Sequence, residues 1–228
     1  MAMFEVHDLE GVHYVDITLD DEMVRVEAGA LAYLTGEITV YSRLIPSVGD
    51  VIRSILADEA IYRPTYTGTG VVTLQSSIGG FHIMDIKDDC WILERGIYWA
   101  SEGGVDVSFH RVDFWTAFRA REALIYLHTR VRGSGKVAVR TRGPIEEITL
   151  AEGQRIALDG NSVIGWSSDV RFRIRRPTKN FLGKFTSGQG RLRVFIGPGR
   201  VLLNPAPFWH YRLLAGNEDA GRFLPYSD

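Results

Sequence analysis

Apolar and polar residues alternate one by one through most of this chain. In His13-Tyr14-Val15-Asp16-Ile17-Thr18-Leu19, the residues Val15, Ile17 and Leu19 fall on one side of an extended strand. Asp20-Asp21 then predicts a turn into Val24-Arg25-Val26. The same period of two runs through Val105-Asp106-Val107, Lys136-Val137-Ala138-Val139 and Arg171-Phe172-Arg173-Ile174-Arg175. Short strands divided by glycine-rich turns at roughly ten-residue spacing predict an all-β fold, as sandwich or barrel.

A longer period is laid over the short one. Gly68-Thr69-Gly70, Gly133-Ser134-Gly135 and Gly197-Pro198-Gly199 recur 65 and then 64 residues apart. Two residues after each second glycine stands a valine: Val72, Val137 and Val201. Self-similarity at a fixed spacing is the mark of one supersecondary plan used several times. Paired glycines inside strand-like runs predict a tight reversal or a bulge, because glycine accepts positive φ at no steric cost. None of the three extends to G-x-G-x-x-G, and none opens a helix, which excludes a dinucleotide fingerprint.

A short amphipathic helix is predicted upstream of each pair. The first spans residues 47–57, with Ser47 as N-cap and Val48, Val51, Ile52, Ile55 and Leu56 on one face. The second starts near Asp113 and presents Phe114, Trp115 and Phe118. The third presents Phe181, Leu182 and Phe185. Such faces either plug the open ends of β-units or dock a neighbouring subunit; Phe114, Trp115 and Phe118 are the candidates for docking. Three repeated β-lobes follow, over residues 1–80, 81–142 and 143–205. Residues 206–228 form a tail whose Phe208 and Trp209 are further candidate subunit contacts.

Composition leaves the β reading intact and removes other classes. Apolar residues make up 45% and charged residues 24% of 228, an ordinary globular balance. No run of about 18 apolar residues occurs, so no membrane-spanning helix is expected. Residues 1–20 hold five acids and no Lys or Arg, unlike a secretory or mitochondrial leader, and the cytoplasm is the expected compartment. Cys90 is the single cysteine, flanked by Asp88 and Asp89, and is expected to be inert.

The net charge of −2 hides a division. Residues 1–110 hold 6 basic and 18 acidic residues, a net of −12; residues 111–228 hold 20 and 10, a net of +10. Nine basic residues and no acid lie between Arg171 and Arg200. Arg171, Arg173 and Arg175 share one strand face, and Arg191 and Arg193 bracket Leu192. These five arginines are expected on one β-surface, as an anion or nucleic-acid site or as a match for the acidic half of another subunit.

Several segments together resemble the altered-inheritance-of-mitochondria family. They are Gly29-Ala30-Leu31, the Gly-x-Gly-x-Val elements, Gly143-Pro144-Ile145-Glu146-Glu147-Ile148-Thr149-Leu150, and Phe195-Ile196-Gly197-Pro198-Gly199-Arg200-Val201. The likeness runs over about residues 23–205. It implies a double-stranded β-helix fold like that of the tryptophan RNA-binding attenuation protein, arranged in a ring-like oligomer. It implies no catalytic motif. The family's helices tend to be Gly- and Ser-rich, whereas Val51, Ile52, Phe114 and Trp115 stand here.

Catalytic inventory is sparse. There is no Gly-x-Ser-x-Gly elbow, no P-loop and no closely spaced histidine pair. A metal site would have to assemble from distant residues such as His82, Asp85 and His128. Glu146 and Glu147 alternate across a strand and are expected in solvent. The expectation is therefore a non-enzymatic, self-associating scaffold without cofactor or metal, trimeric by preference. The alternative is a module that binds nucleic acid or another anionic ligand through its arginine strands.

Overall fold

The protein is described by a computed structural model covering residues 1–42, 63–77, 79–111, 127–141, 143–175 and 192–205. These residues are nearly all strand, in large antiparallel sheets. Their one helical element is a 3-10 turn at Gly160–Ser162, with the Asp159 carboxylate accepting from the Asn161 amide. The three amphipathic helices expected from sequence lie outside the described residues, as does the 206–228 tail.

The chain divides into two compact units. The first comprises residues 1–112 and 125–141. It holds β1 (Met3–Leu9), β2 (Val12–Val26), β3 (Leu31–Tyr41), β4 (Thr65–Ser77), β5 (Phe81–Leu93), β6 (Tyr98–Glu102), β7 (Val105–Arg111) and β8 (Leu127–Arg140). The order across the sheet is β3-β4-β2-β6-β8-β5, with β1 on β2 and β7 on β8. The second unit comprises residues 113–124 and 142–228. It holds β9 (Glu146–Leu150), β10 (Arg155–Asp159), β11 (Val163–Ser167), β12 (Arg171–Arg175), β13 (Leu192–Ile196) and β14 (Gly199–Leu203). Its pairings run β11-β14-β9 and β10-β13-β12.

In each set of strands a later one lies between earlier ones. β4 pairs with β2 on one side and β3 on the other. β8 pairs with β5 on one side and with β6 and β7 on the other. β13 pairs with β10 and β12, and β14 with β9 and β11. Register shifts fall at matching places: Leu31/Tyr33, Tyr98/Ala100 and Val163/Gly165. So do three lone backbone bonds: Gln75 N to Ala30 O, Arg140 N to Ile97 O and Asn204 N to Ser162 O.

Asp20-Asp21 does not turn the chain, contrary to the expectation from its two adjacent acids. β2 runs on through it as one strand of 15 residues, with a bulge between Leu19 and Glu22 and Asp21 at φ 54°. β5 does the same between Ile86 and Asp89, with Asp88 at φ 50°. The first two glycine pairs lie opposite these bulges and stay inside β4 and β8, with Gly68 and Gly70 at φ 133° and 151°. The third, Gly197-Pro198-Gly199, instead links β13 to β14. A Cβ on Gly68 would stand 2.1 Å from the Glu37 carbonyl oxygen, and one on Gly70 2.1 Å from that of Thr35. The absent side chains let β3 close onto β4 at this point. The residue between the glycines also bonds: the Asp21 amide donates to Thr69 Oγ1 at 3.2 Å and the Asp88 amide to Ser134 Oγ at 2.9 Å.

Alternation along β2 places the core. Val15, Ile17, Leu19, Val24 and Val26 are all fully buried, with the bulge keeping both halves of the strand on the same side. Tyr66, Val72, Leu74, Trp99, Ala100 and Ala138 complete that cluster. Each such aliphatic side chain removed from water stabilises by roughly 1.5–3 kcal/mol. In the second unit Trp166, Phe172 and Phe195 pack as a trio, ring centroids 5.3 to 5.4 Å apart.

Candidate functional site

The β10-β13-β12 sheet carries most of the arginines singled out from sequence. Directly opposed residues in antiparallel strands project to the same face. Arg171 and Arg155 both oppose Ile196, and Arg173 and Ala157 both oppose Val194. One face therefore bears Arg155, Arg171 and Arg173, all exposed, in two rows flanking the central strand. Strand spacing sets the rows about 10 Å apart. Phe172 and Phe195 share the opposite face with Ile156.

Arg193 does not join this surface. It opposes Ile174 and Leu158, on the face of Phe172 and Phe195, and is only 7% exposed. Its guanidinium packs against Gly160, where a Cβ would stand 3.2 Å from Nε. The reason is parity. Residue 193 lies on the face to which β13 turns its aromatic Phe195, so period two sends Arg193 inward. Arg175 continues β12 opposite Leu192, described in its backbone only. Arg191, Phe114, Trp115, Phe118, Phe208 and Trp209 lie outside the described residues.

Arg155 was not anticipated. Its signal is the alternation Arg155-Ile156-Ala157-Leu158-Asp159, too short and too mixed to stand out beside the nine-cation run. Arg200 is a different case: its guanidinium meets Glu147 at 3.5 Å on β9. Glu146 and Glu147 are both exposed.

Titratable clusters in the first unit are internal. Arg63 is buried, donates to Glu27 at 2.7 Å and lies over the Tyr98 ring at 4.2 Å from its centroid. The Tyr98 hydroxyl meets Ser101 Oγ at 2.8 Å and the Arg25 carbonyl oxygen at 3.2 Å. Burial pushes the Tyr98 phenol up to about 12, against the lowering effects of Arg63, the Ser101 bond and Arg25. His128 is buried with Glu94 at 3.3 Å, His7 meets Asp16 at 3.3 Å and His13 meets Asp8 at 3.1 Å. His82 and Asp85 lie on β5 opposite Val139 and Lys136, and His128 opposes His110 at the far end of β8. Among the described residues no three of His, Cys, Asp and Glu gather in a metal-binding group. Cys90 is a free, half-buried thiol whose amide donates to the Asp89 carboxylate. No helix among the described residues is long and apolar enough to cross a membrane.

The family model described as Mitochondrial biogenesis AIM24 matches residues 4–206, and the chain belongs to that family. Comparison with curated proteins finds no match. Among solved structures, the crystal structure of protein SPYM3_0169 from Streptococcus pyogenes is similar, with a TM-score of 0.71 at 19% identity. The match covers 98% of this chain and 100% of that one, and it establishes a shared fold.

Proposed function

We propose that this protein is a non-enzymatic scaffold that associates with copies of itself, a trimer being the favoured assembly, in the cytoplasm. In this reading it is one β-module used three times, of the double-stranded β-helix kind found in the attenuation protein. The matching register shifts and backbone bonds of the three strand sets support that plan. The observation that carries self-association is the division of charge: −12 over residues 1–110 against +10 over residues 111–228. Opposed potentials on two parts of one chain steer copies together head to tail. Light scattering at low micromolar concentration tests it. The expected result is a discrete oligomer at low salt; a strict monomer at both low and moderate salt overturns the reading.

A second reading rests on the exposed face bearing Arg155, Arg171 and Arg173. The Arg171–Arg173 pair on β12 and Arg155 on β10, beside the apolar Val194, suit a phosphate-rich polymer or another polyanion. Filter binding of single-stranded RNA across a salt series tests it. Affinity falling steeply with salt, and lost on Arg173→Glu, is the expected outcome. Binding indifferent to both overturns it.

A further inference from the structure

We propose that β3 of one copy pairs with β12 of a second copy, an edge-to-edge contact built on Glu37 and Arg173. This deepens the self-association reading and rests on it.

Among the described residues, β3 pairs only with β4 and is 11 residues long. It carries no Lys, Arg or Pro, the residues that usually blunt an edge. Tyr33, Val40 and Tyr41 are 54%, 42% and 61% exposed. Such an edge is a template for a further strand. β12 is likewise an end strand, pairing only with β13.

The faces and charges of the two strands match. On β3, Leu34 and Ile38 pack toward the core, while Thr35, Glu37 and Thr39 are exposed. On β12, Phe172 and Ile174 are half-buried, while Arg171 and Arg173 are exposed. An antiparallel register setting Glu37 opposite Arg173 also sets Thr39 opposite Arg171 and Ile38 opposite Phe172. Apolar side chains then continue one face, and the single carboxylate of β3 meets the arginine row on the other. A register slipped by one residue would bury that carboxylate against Phe172 or Ile174. Because the two edges differ, the contact is heterologous: repeated, it closes into a ring or runs on as a filament.

A charge-swap cycle on the full chain tests the contact by light scattering and sedimentation. Glu37→Arg and Arg173→Glu should each weaken association at least tenfold, and the double variant should recover to within about threefold of the parent. Both residues are exposed, and circular dichroism matching the parent checks that the variants fold. If the parent associates and both single variants associate equally well, this contact is wrong while self-association stands. An effect of Glu37→Arg without one of Arg173→Glu points to β3 pairing with its own copy and overturns the proposal. A monomeric parent overturns both readings together.

Discussion

The Arg63 guanidinium lies over the ring of Tyr98, 4.2 Å from its centroid, while its Nε donates to Glu27. This stack ties the chain just before β4 to β6, two segments 35 residues apart in sequence. A cation held face-on to an aromatic ring and desolvated there contributes about 2 kcal/mol. Arg63→Ala is expected to lower stability by at least that amount, since Glu27 also loses its partner. Urea unfolding reads the change.

Tyr98 gives the protein an alkaline limit. Its folded phenol titrates at about 12, above the ordinary value of 10.0. The neutral form is the one the fold favours. The stabilisation is therefore complete below pH 10 and disappears as pH climbs from 10 through 12, on the order of 3 kcal/mol in all. Tyr98→Phe should flatten the stability profile across that window. Phenolate absorbance should show late ionisation in the folded protein that Tyr98→Phe removes in its most alkaline part, burial raising Tyr66 as well; all nine tyrosines titrating together near pH 10 would contradict this.

Glycines separate by their surroundings. Gly70→Ala sets a methyl group into the Thr35 carbonyl, and β3 must part from β4 to admit it. The expected loss is at least about 3 kcal/mol, the scale of overpacking with backbone strain. Gly29 also has positive φ, at 80°, yet nothing lies within 4 Å of its Cβ position. Gly29→Ala should cost only about 1 kcal/mol, from the left-handed backbone alone. Thermal unfolding of the two variants in parallel checks the ordering.

Two arginines of one sequence cluster should behave oppositely. Arg193 is buried beside Gly160 on the sheet face of Phe172 and Phe195, and Arg193→Ala is expected to destabilise by about 2–4 kcal/mol through lost packing. Arg171→Ala, at an exposed position, should stay within about 0.5 kcal/mol of the parent. Denaturant midpoints decide, and equal effects would refute the division between faces.

Much of this was readable in the residues themselves. Alternation in 13–19 placed Val15, Ile17 and Leu19 together in the core, because a strand with one wet face must alternate. The glycine spacing marked the central strands β4 and β8. Asp20-Asp21 misled because two adjacent acids read as a turn by composition, whereas Asp21 tolerates positive φ and lets a bulge form inside a continuing strand. The single arginine face misled for a different reason. Local period two fixes facing within a strand, but the face of β13 is set by Phe195 packing on Trp166 and Phe172, a relation no local pattern carries. The Arg63–Glu27–Tyr98 cluster had no sequence signal at all, since its members come from three distant segments.

The placement of β4 between β2 and β3 has a consequence for how the chain comes into being. Leu19 pairs with Gly70 and Gly36 with that same Gly70, so both neighbours are synthesised before the strand that joins them. At about 5–20 residues per second, β3 waits on the order of seconds for Thr65–Ser77 to emerge. During that interval its two unsatisfied edges are open to other nascent chains on the same message. Slow, non-local closure of this kind leaves the growing chain exposed to aggregation until β4 arrives.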